Sequence, residues 1–200
     1  CGGWRLAERA IEAVVLDVYG TLFGFGRLAE RARAIVGDLP LLDHWRTKQL
    51  EQSFLRTILG EYVDFWKVTE EALDAVCAQL ELELMPEERE HLLHGWLELD
   101  PFPEVRGALE LLRERGQRLA VLSNGSPAML ESLLQHAELD TLFEVVLSAD
   151  AVRRYKPSPA VYALAPAALV VPPERIMFCS ANGVDVAGAL RFGFQVCWVN

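Results

Sequence analysis

The chain has 200 residues, of which 52% are hydrophobic and 24% charged, and its formal net charge is −10. This composition predicts a globular protein with one sizeable core, or a core plus a small inserted module. The negative charge argues against nucleic acid and acidic membrane surfaces as partners, and no segment approaches the roughly 20 apolar residues of a membrane helix.

The beginning of the chain and its cysteines favour a cytoplasmic location. Residues 1–13 include acidic side chains and lack the apolar region that a secretory signal needs. The cysteines have neither CxxC nor zinc-ligand spacing, which suits free thiols in a reducing compartment. They are Cys1, Cys77, Cys179 and Cys197.

The first predicted element is a strand, residues 13–19 (AVVLDVY), which is apolar enough to be buried on both faces of a parallel sheet. Asp17 lies near the end of this strand and Gly20 follows it. Taken as an isolated D-x-x-G pattern, Asp17 is a turn residue. A carboxylate at the mouth of an apolar strand, however, loses water and needs a partner, and such a group can serve as a nucleophile.

Helical periodicity extends through residues 24–100. Apolar side chains recur at helical spacing in its first part, at Trp45, Leu50, Phe54 and Ile58. Thr69 has the residue type and position of a helix N-cap. The helices predicted here cover residues 41–66, 69–82 and 85–99.

From about residue 101 the pattern alternates between helix and strand, which predicts an α/β fold with a mostly parallel, doubly wound sheet. Pro166 is expected to kink or interrupt one of the helices. We assign residues 11–22 plus 101–200 to a core domain and residues 23–100 to an inserted helical domain. The predicted elements are helix 105–116, strand 118–123, helix 127–139, strand 143–148, helix 159–170, strand 175–180, helix 185–193 and strand 194–200.

Polar residues stand at the ends of these strands, beyond which such sheets bind ligands. They are Asp17, Ser123, Asn124, Ser148 and Ser180. Ser126 followed by Pro127 has the pattern of a helix N-cap with a first-turn proline. Ser123 and Asn124 are then left at the strand end, where their side chains and free helix N–H groups favour an anion site.

The later candidates each have a structural alternative. Lys156 is either a solvated surface charge or a cation that reaches Asp17 and holds it ionised, with the Tyr162 hydroxyl added to the same cluster. Asn182 followed three residues later by Asp185 resembles a capping box. The alternative places Asp185 opposite Asp17 across the crevice, with Ser180 and Asn182 orienting it.

The helical segment contains two further polar features. Arg46 has no local feature that distinguishes it from a surface arginine. His91 and His94, with Glu90, have a spacing compatible with a metal, but a polar helix face is the simpler interpretation. No metal site is predicted.

The motifs LDVYGTL, SNGS, YKP and S-x-N-x-x-D, in this order, resemble the haloacid dehalogenase superfamily and, more closely, its L-2-haloacid dehalogenases. The resemblance covers nearly the whole chain, because WRTKQLEQSFLRTILGEYVDF is similar to the helical cap of the dehalogenases. It implies a Rossmann-like core with an inserted cap and hydrolysis of L-2-haloalkanoic acids to D-2-hydroxy acids. It also implies that no cofactor is needed, and it is compatible with a homodimer formed through apolar cap faces.

Within the superfamily, Tyr19 favours a dehalogenase. Phosphatases carry a second aspartate two residues after the nucleophile, as general acid, and another acid in the fourth motif that ligates Mg²⁺. Here the first position is Tyr19, and the fourth motif begins with Ser180, Ala181 and Asn182. The remaining acids provide too few oxygen ligands for a hard cation such as Mg²⁺. A halide, by contrast, leaves without a proton.

The resemblance implies a role for each candidate. Asp17 attacks the α-carbon to form an ester, and water positioned by Asp185 and Lys156 then hydrolyses that ester. Ser123 with nearby backbone N–H groups holds the substrate carboxylate. The remaining groups orient the two aspartates (Thr21, Tyr162, Ser180, Asn182), receive the halide (Arg46, Asn124) or form the pocket (Tyr19, Leu50, Phe65, Val184).

Val184 departs from the family pattern, in which a tryptophan commonly precedes the fourth-motif aspartate. With Gly183 before it, the smaller side chain is expected to enlarge or reshape the pocket. Two alternatives to a dehalogenase stay open at this point: a phosphatase with an atypical Mg²⁺ site, and a non-catalytic relative that uses the cap as a binding surface.

Overall fold

Five parallel strands form one sheet in this computed structural model, which describes residues 10–199. The strands are β1 (Ala13–Leu16), β2 (Arg118–Ser123), β3 (Val145–Ser148), β4 (Ile176–Ser180) and β5 (Gln195–Trp198). Their order across the sheet is β3-β2-β1-β4-β5. The chain thus forms the strands on one side of β1 first and later those on the other side, as predicted for a doubly wound α/β fold.

Helices fill the long connection after β1 and alternate with the later strands. Within residues 10–199 no helix is long and apolar enough to cross a membrane. The helices between β1 and β2 are α1 (Gly26–Val36), α2 (Leu41–Leu59), α3 (Phe65–Gln79), α4 (Pro86–His94) and α5 (Val105–Glu114). Those after β2 are α6 (Pro127–His136), α7 (Pro159–Tyr162), α8 (Leu164–Leu169) and α9 (Gly183–Phe192).

The boundary between α2 and α3 differs from the prediction. A single helix was predicted for residues 41–66, but α2 ends at Gly60, which has a left-handed φ of 75°. Asp64, and not Thr69, caps α3, because its carboxylate accepts from the backbone N–H of Lys67 at 3.0 Å. Thr69 lies inside the helix, where its hydroxyl donates to the carbonyl of Phe65 at 2.7 Å.

The buried face of α2 is partly polar. It consists of Leu41, Trp45, Gln49 and Ser53. Ile58, one of the apolar positions noted in the sequence, is instead 80% exposed. A further interruption is as expected, since the helix predicted for 159–170 breaks into α7 and α8 just before Pro166.

One apolar cluster extends from the sheet into the helical insertion. Every residue of β1 is buried, as expected for a strand covered on both faces. Trp45, Phe65 and Trp96 of the insertion are among the largest fully buried side chains. The division into a core and a cap stays a prediction, and two residues of the sequence predictions, Cys1 and Asn200, lie outside the described range.

Candidate active site

Asp17 is the first residue after β1, in the middle of the sheet. Its backbone N–H donates to the carbonyl of Cys179 at 3.0 Å, which extends the pairing with β4 by one residue. The residue is buried, with 8% exposure. The strand order reverses at β1, and open α/β sheets bind ligands in the crevice at such a point. The first candidate therefore lies where the topology predicts a site.

Lys156 connects Asp17 to a second carboxylate. Its Nζ donates to Asp17 Oδ1 at 2.9 Å and to Asp185 Oδ2 at 2.7 Å. Its backbone N–H donates to Asn124 Oδ1 at 2.9 Å, which fixes the loop that carries it. Burial lowers the pKa of the Lys156 ammonium, but the charges of the two aspartates outweigh burial, and the pKa is raised overall. The ammonium is therefore charged at neutral pH.

Asp185 lies in the first turn of α9 and faces the crevice. Asn182 caps this helix by accepting from the backbone N–H of Val184 at 2.9 Å. The Asp185 carboxylate does not complete a capping box, since it accepts from Lys156 and, at 2.8 Å, from the hydroxyl of Tyr162. Burial raises the pKa of Asp185; Lys156 opposes this shift and the Asp17 charge adds to it. The raised pKa makes this carboxylate a better proton acceptor than an ordinary aspartate.

Two hydroxyl groups orient the other oxygen of Asp17. Thr21 donates to Asp17 Oδ2 at 3.1 Å, and Ser180 donates to the same atom at 3.3 Å. Each hydroxyl is itself held by a backbone N–H, that of Ala181 at 3.0 Å and that of Asn182 at 3.1 Å. The rotamer of Asp17 is thus defined by contacts on both carboxylate oxygens.

Ser123 and Asn124 follow β2 on the same edge of the sheet. Ser126 caps α6 by accepting from the backbone N–H of Met129 at 3.4 Å, as the sequence predicted. Ser123 is fully buried and accepts from the backbone N–H of Gly125 at 3.2 Å. The side-chain carbonyl of Asn124 is committed to the Lys156 backbone, so its NH₂ is the group that it can offer to a ligand.

Arg46 of α2 reaches the same cavity from the helical insertion. Its guanidinium carbon lies 4.7 Å from the ring centre of Phe25 and 5.2 Å from that of Trp96. Burial lowers the pKa of Arg46 to about 10, although Asp17 and Tyr19 oppose the shift. The group remains a cation at neutral pH, and it is poorly hydrated because aromatic rings surround it. It can therefore bind an anion in the cavity.

Gln49 positions Arg46 and was not among the predicted site residues. This fully buried side chain accepts from Arg46 Nη1 and donates to Thr69 Oγ1 at 2.6 Å. Thr69 in turn donates to the carbonyl of Phe65, so a chain of hydrogen bonds joins α2 to α3. The available signal was the spacing, because Gln49 follows the buried Trp45 by four residues on the same helix face.

Tyr19 occupies one wall of the cavity with an unpaired hydroxyl. Its ring contacts Trp96 and Phe65, with centroid separations of 5.5 and 6.2 Å. Among the residues described, none provides a hydrogen-bond partner for the buried Tyr19 Oη. Burial raises the pKa of Tyr19, so the phenol is neutral and is available as a donor to a ligand.

The predicted side chains all lie at this place, either on the cavity wall or bonded to a group that is. Phe54 is a wall residue that was not predicted. The cavity has a volume of about 30 Å³. It is lined by Asp17, Tyr19, Arg46, Leu50, Phe54, Phe65, Ser123, Asn124, Lys156, Asn182, Val184 and Asp185.

The donor set does not suit a divalent cation. Within residues 10–199 no cluster of three or more His, Cys, Asp and Glu side chains is placed to hold a metal. The facing carboxylates of Asp17 and Asp185 share the Lys156 ammonium, whose charge repels a cation at the same oxygens.

Comparison with known families matches residues 11–193 to the haloacid dehalogenase-like hydrolases. Among characterised proteins, the chain is similar to haloacetate dehalogenase H-2 of Moraxella sp. (strain B), with 41% identity over 96% of this chain and 87% of the relative. It is also similar to (S)-2-haloacid dehalogenase 2 of Pseudomonas sp. (strain CBS-3), with 43% identity over 95% of this chain and 84% of the relative.

Solved structures give the same result. The L-2-haloacid dehalogenase RSc1362 superimposes with a TM-score of 0.94 at 43% identity, over 96% of this chain and 87% of the other. The L-2-haloacid dehalogenase from Xanthobacter autotrophicus with chloropropionic acid covalently bound has a TM-score of 0.87 at 40% identity, over 94% and 77%.

Proposed function

This chain belongs to the haloacid dehalogenase-like hydrolases, and from its similarity to (S)-2-haloacid dehalogenases we infer that it hydrolyses L-2-haloalkanoic acids to D-2-hydroxy acids and halide. The observation that carries this conclusion is the triplet of Asp17, Lys156 and Asp185 at the end of β1. It combines an oriented carboxylate, a cation that donates a hydrogen bond to it and a second carboxylate that is a good proton acceptor.

In the first step Asp17 displaces the halogen. A carboxylate oxygen of Asp17 forms a bond to C2 of the substrate, and the C2–halogen bond breaks with its electron pair leaving on the halide. The product is an aspartyl ester, and the single in-line displacement inverts the configuration at C2. Thr21, Ser180 and Lys156 hold the attacking carboxylate in one rotamer, which lowers the entropic cost of reaching this geometry.

The second step is hydrolysis of the ester. A water molecule gives a proton to Asp185 while its oxygen bonds to the carbonyl carbon of Asp17. The ester bond between that carbon and the substrate oxygen then breaks, and the departing alkoxide takes a proton back from Asp185 to give the hydroxy acid. The second proton of the water is released to solvent, and the Asp17 carboxylate is restored. Tyr162 fixes the rotamer of Asp185 through its 2.8 Å hydrogen bond. Lys156 stabilises the negative charge that develops on the Asp17 oxygen in this step.

We assign the anionic parts of the reaction to separate groups. Arg46, with the NH₂ of Asn124, receives the departing halide, since it is a poorly hydrated cation in the cavity wall. Ser123 and nearby backbone N–H groups hold the substrate carboxylate. Tyr19, Leu50, Phe65 and Val184 form the remaining wall, with Phe54 added by the structure.

We propose that the reaction needs no metal. The ammonium of Lys156 already binds the oxygens that would ligate one, and Tyr19 replaces the general acid that a phosphatase needs. A phosphatase with an atypical Mg²⁺ site is therefore the weaker candidate. A non-catalytic binding protein is weaker still, because it has no need for a fully oriented nucleophile.

The test is halide release from L- and D-2-chloropropanoate in the presence of EDTA, with Asp17→Asn as the control. Release from the L form alone, abolished in the variant, is the expected result. Release that needs added Mg²⁺, or phosphate release from phosphate esters by a metal-loaded sample, would overturn the proposal.

Three accessory proposals accompany this function. We propose residues 23–100 as a cap over a core of 11–22 plus 101–200, since Arg46, Leu50 and Phe65 of the insertion line the cavity together with the strand-end residues. We also propose a cytoplasmic location. A homodimer remains a prediction, supported by the exposed apolar Leu55 and Leu59 on α2.

A further inference from the structure

The cavity at Asp17 is small. Its volume of about 30 Å³ must hold the carboxylate, the halogen and C2 of a 2-haloacid, which leaves little room for a further group. A 2-substituent much larger than a methyl group must therefore pass through the wall. The most exposed part of that wall is Val184, which is 47% exposed even though it lines the cavity. Val184 is therefore a wall residue that also faces solvent.

A second cleft lies on the other side of this wall. It has a volume of about 590 Å³ and shares Phe54 and Val184 with the Asp17 cavity as lining residues. The rest of its surface comes from the end of α2 and from the loop before α7, and it is mostly apolar. Its apolar lining includes Ile58, Pro157 and Pro159.

The two walls of this cleft are held together by direct hydrogen bonds. The hydroxyl of Thr57 on α2 accepts from the backbone N–H of Tyr155 at 3.0 Å. The carbonyl of Thr57 accepts from Arg154 Nη1 at 3.1 Å, which binds this cation at the rim. Since the loop also carries Lys156, the cleft has a defined position relative to the reacting groups.

We propose that this cleft binds the 2-substituent of longer L-2-haloalkanoic acids, with an alkyl or aryl group that passes between Phe54 and Val184. The proposal rests on the proposed function and narrows its substrate class. The carboxylate of such an acid is bound at Ser123 and its halogen at Arg46. The 2-substituent is therefore the part of the substrate that extends out of the cavity. A valine at position 184 permits this path, and a tryptophan there closes it.

The experiment measures affinity, so that it does not depend on turnover. Asp17→Asn prevents ester formation, and calorimetry then gives the Kd of L-2-bromopropanoate, L-2-bromohexanoate and L-2-bromooctanoate. The same series is measured after adding Val184→Trp. Leu111→Trp is the matched control, because Leu111 is 46% exposed and lines neither cavity.

With Val184 present, we expect the Kd to fall as the chain lengthens, by at most about fourfold per methylene removed from water and at least tenfold over the series. Val184→Trp should abolish this dependence, so that the longer acids lose more affinity than bromopropanoate does, and Leu111→Trp should preserve it. A Kd independent of chain length, or an equal loss for all three acids in Val184→Trp, would overturn the proposal.

Bromide release by the intact enzyme separates this inference from the function on which it rests. Release from bromopropanoate with no affinity gain for the longer acids refutes the cleft alone. Tighter binding of the longer acids without bromide release from any of them refutes the dehalogenase activity and leaves the cleft supported.

Discussion

The cavity has two unlike walls. The wall at the strand ends is polar and charged, and its groups satisfy one another: Lys156 binds Asp17 and Asp185, and hydroxyls complete the coordination of both carboxylates. The wall contributed by the insertion is aromatic and apolar, with one guanidinium stacked on rings and Tyr19 Oη left unpaired beside it. We interpret the first wall as the part that performs bond making and hydrolysis, and the second, together with Asn124 and Val184, as the part that selects substrate and halide.

This division predicts that changes in the two walls have different kinetic signatures. Changes at the strand ends should affect every substrate alike, since all substrates use the same nucleophile and base. The effect of a change in the insertion on the rate should depend on the leaving group or on the size of the 2-substituent.

Replacement of the nucleophile tests the strand-end wall most directly. Asp17→Asn should lower the rate of halide release by about 10⁴-fold or more for every haloacid, because no other described carboxylate occupies its position. The measurement is steady-state halide release from chloro- and bromopropanoate, with circular dichroism as the control for folding. Residual activity within tenfold of the original enzyme would show that another group attacks the substrate.

Removal of the shared cation should affect activity and stability together. Lys156→Met leaves two buried carboxylates without a partner, so we expect a loss of about 10³-fold in rate and about 3–5 kcal/mol in the free energy of unfolding. Urea unfolding at pH 7 measures the second effect. Lys48→Met, at an exposed ion pair with Glu51, is the matched control and should cost about 1 kcal/mol or less.

The pH dependence of the Lys156 contribution has a defined sign. Its folded-state pKa is raised above the unfolded value, so the stabilisation is fully present below the unfolded pKa of about 10.4. It is lost as the pH rises through the folded pKa. In strong base the stability difference between the original chain and Lys156→Met should therefore shrink as the pH rises, and growth of the difference above pH 10 would contradict this assignment.

A change in the insertion wall should act through the leaving group. Gln49→Leu removes the acceptor that orients Arg46, and we expect about a tenfold loss in kcat/KM for chloropropanoate and a smaller loss for bromopropanoate, since bromide leaves more readily. Gln49→Glu keeps an acceptor and should restore orientation while it neutralises the cation. Equal losses for both halogens in Gln49→Leu would indicate a merely structural role.

The smallest expected effect concerns the base. Tyr162→Phe removes a hydrogen bond that lowers the pKa of Asp185, so that pKa should rise further and the acid side of the rate–pH profile should move to higher pH. At pH 8 the rate should change by less than about tenfold. The measurement is kcat against pH for a single substrate. A shift of the profile to lower pH would remove Tyr162 from the description of the base.

The fold and one wall of the site were predictable because their causes are local in the sequence. Apolar strands followed by polar residues, with helices between them, predict a parallel sheet whose carboxyl ends meet at one edge. This pattern alone places Asp17, Ser123 and Ser180 together at that edge. The family resemblance decided between the alternatives for Lys156 and Asp185, and it added Arg46.

The other wall depended on tertiary structure. Thr69 was predicted to cap a helix and instead lies inside α3, where it belongs to the hydrogen-bond chain from Arg46 through Gln49. Which face of α2 turns inward is decided by what packs against it, and here that face carries buried polar groups while Ile58 is exposed.

The sequence by itself determined which residues end strands, which of them are acids, and the family to which the motifs belong. Only the tertiary structure decided that Lys156 bonds both aspartates, that Gln49 holds Arg46, and that Val184 separates the cavity from a larger cleft. The physical reason is the range of the forces involved. Backbone periodicity is set by neighbours within a few positions, whereas side-chain hydrogen bonds and cavities are set by residues distant in the chain that packing brings together.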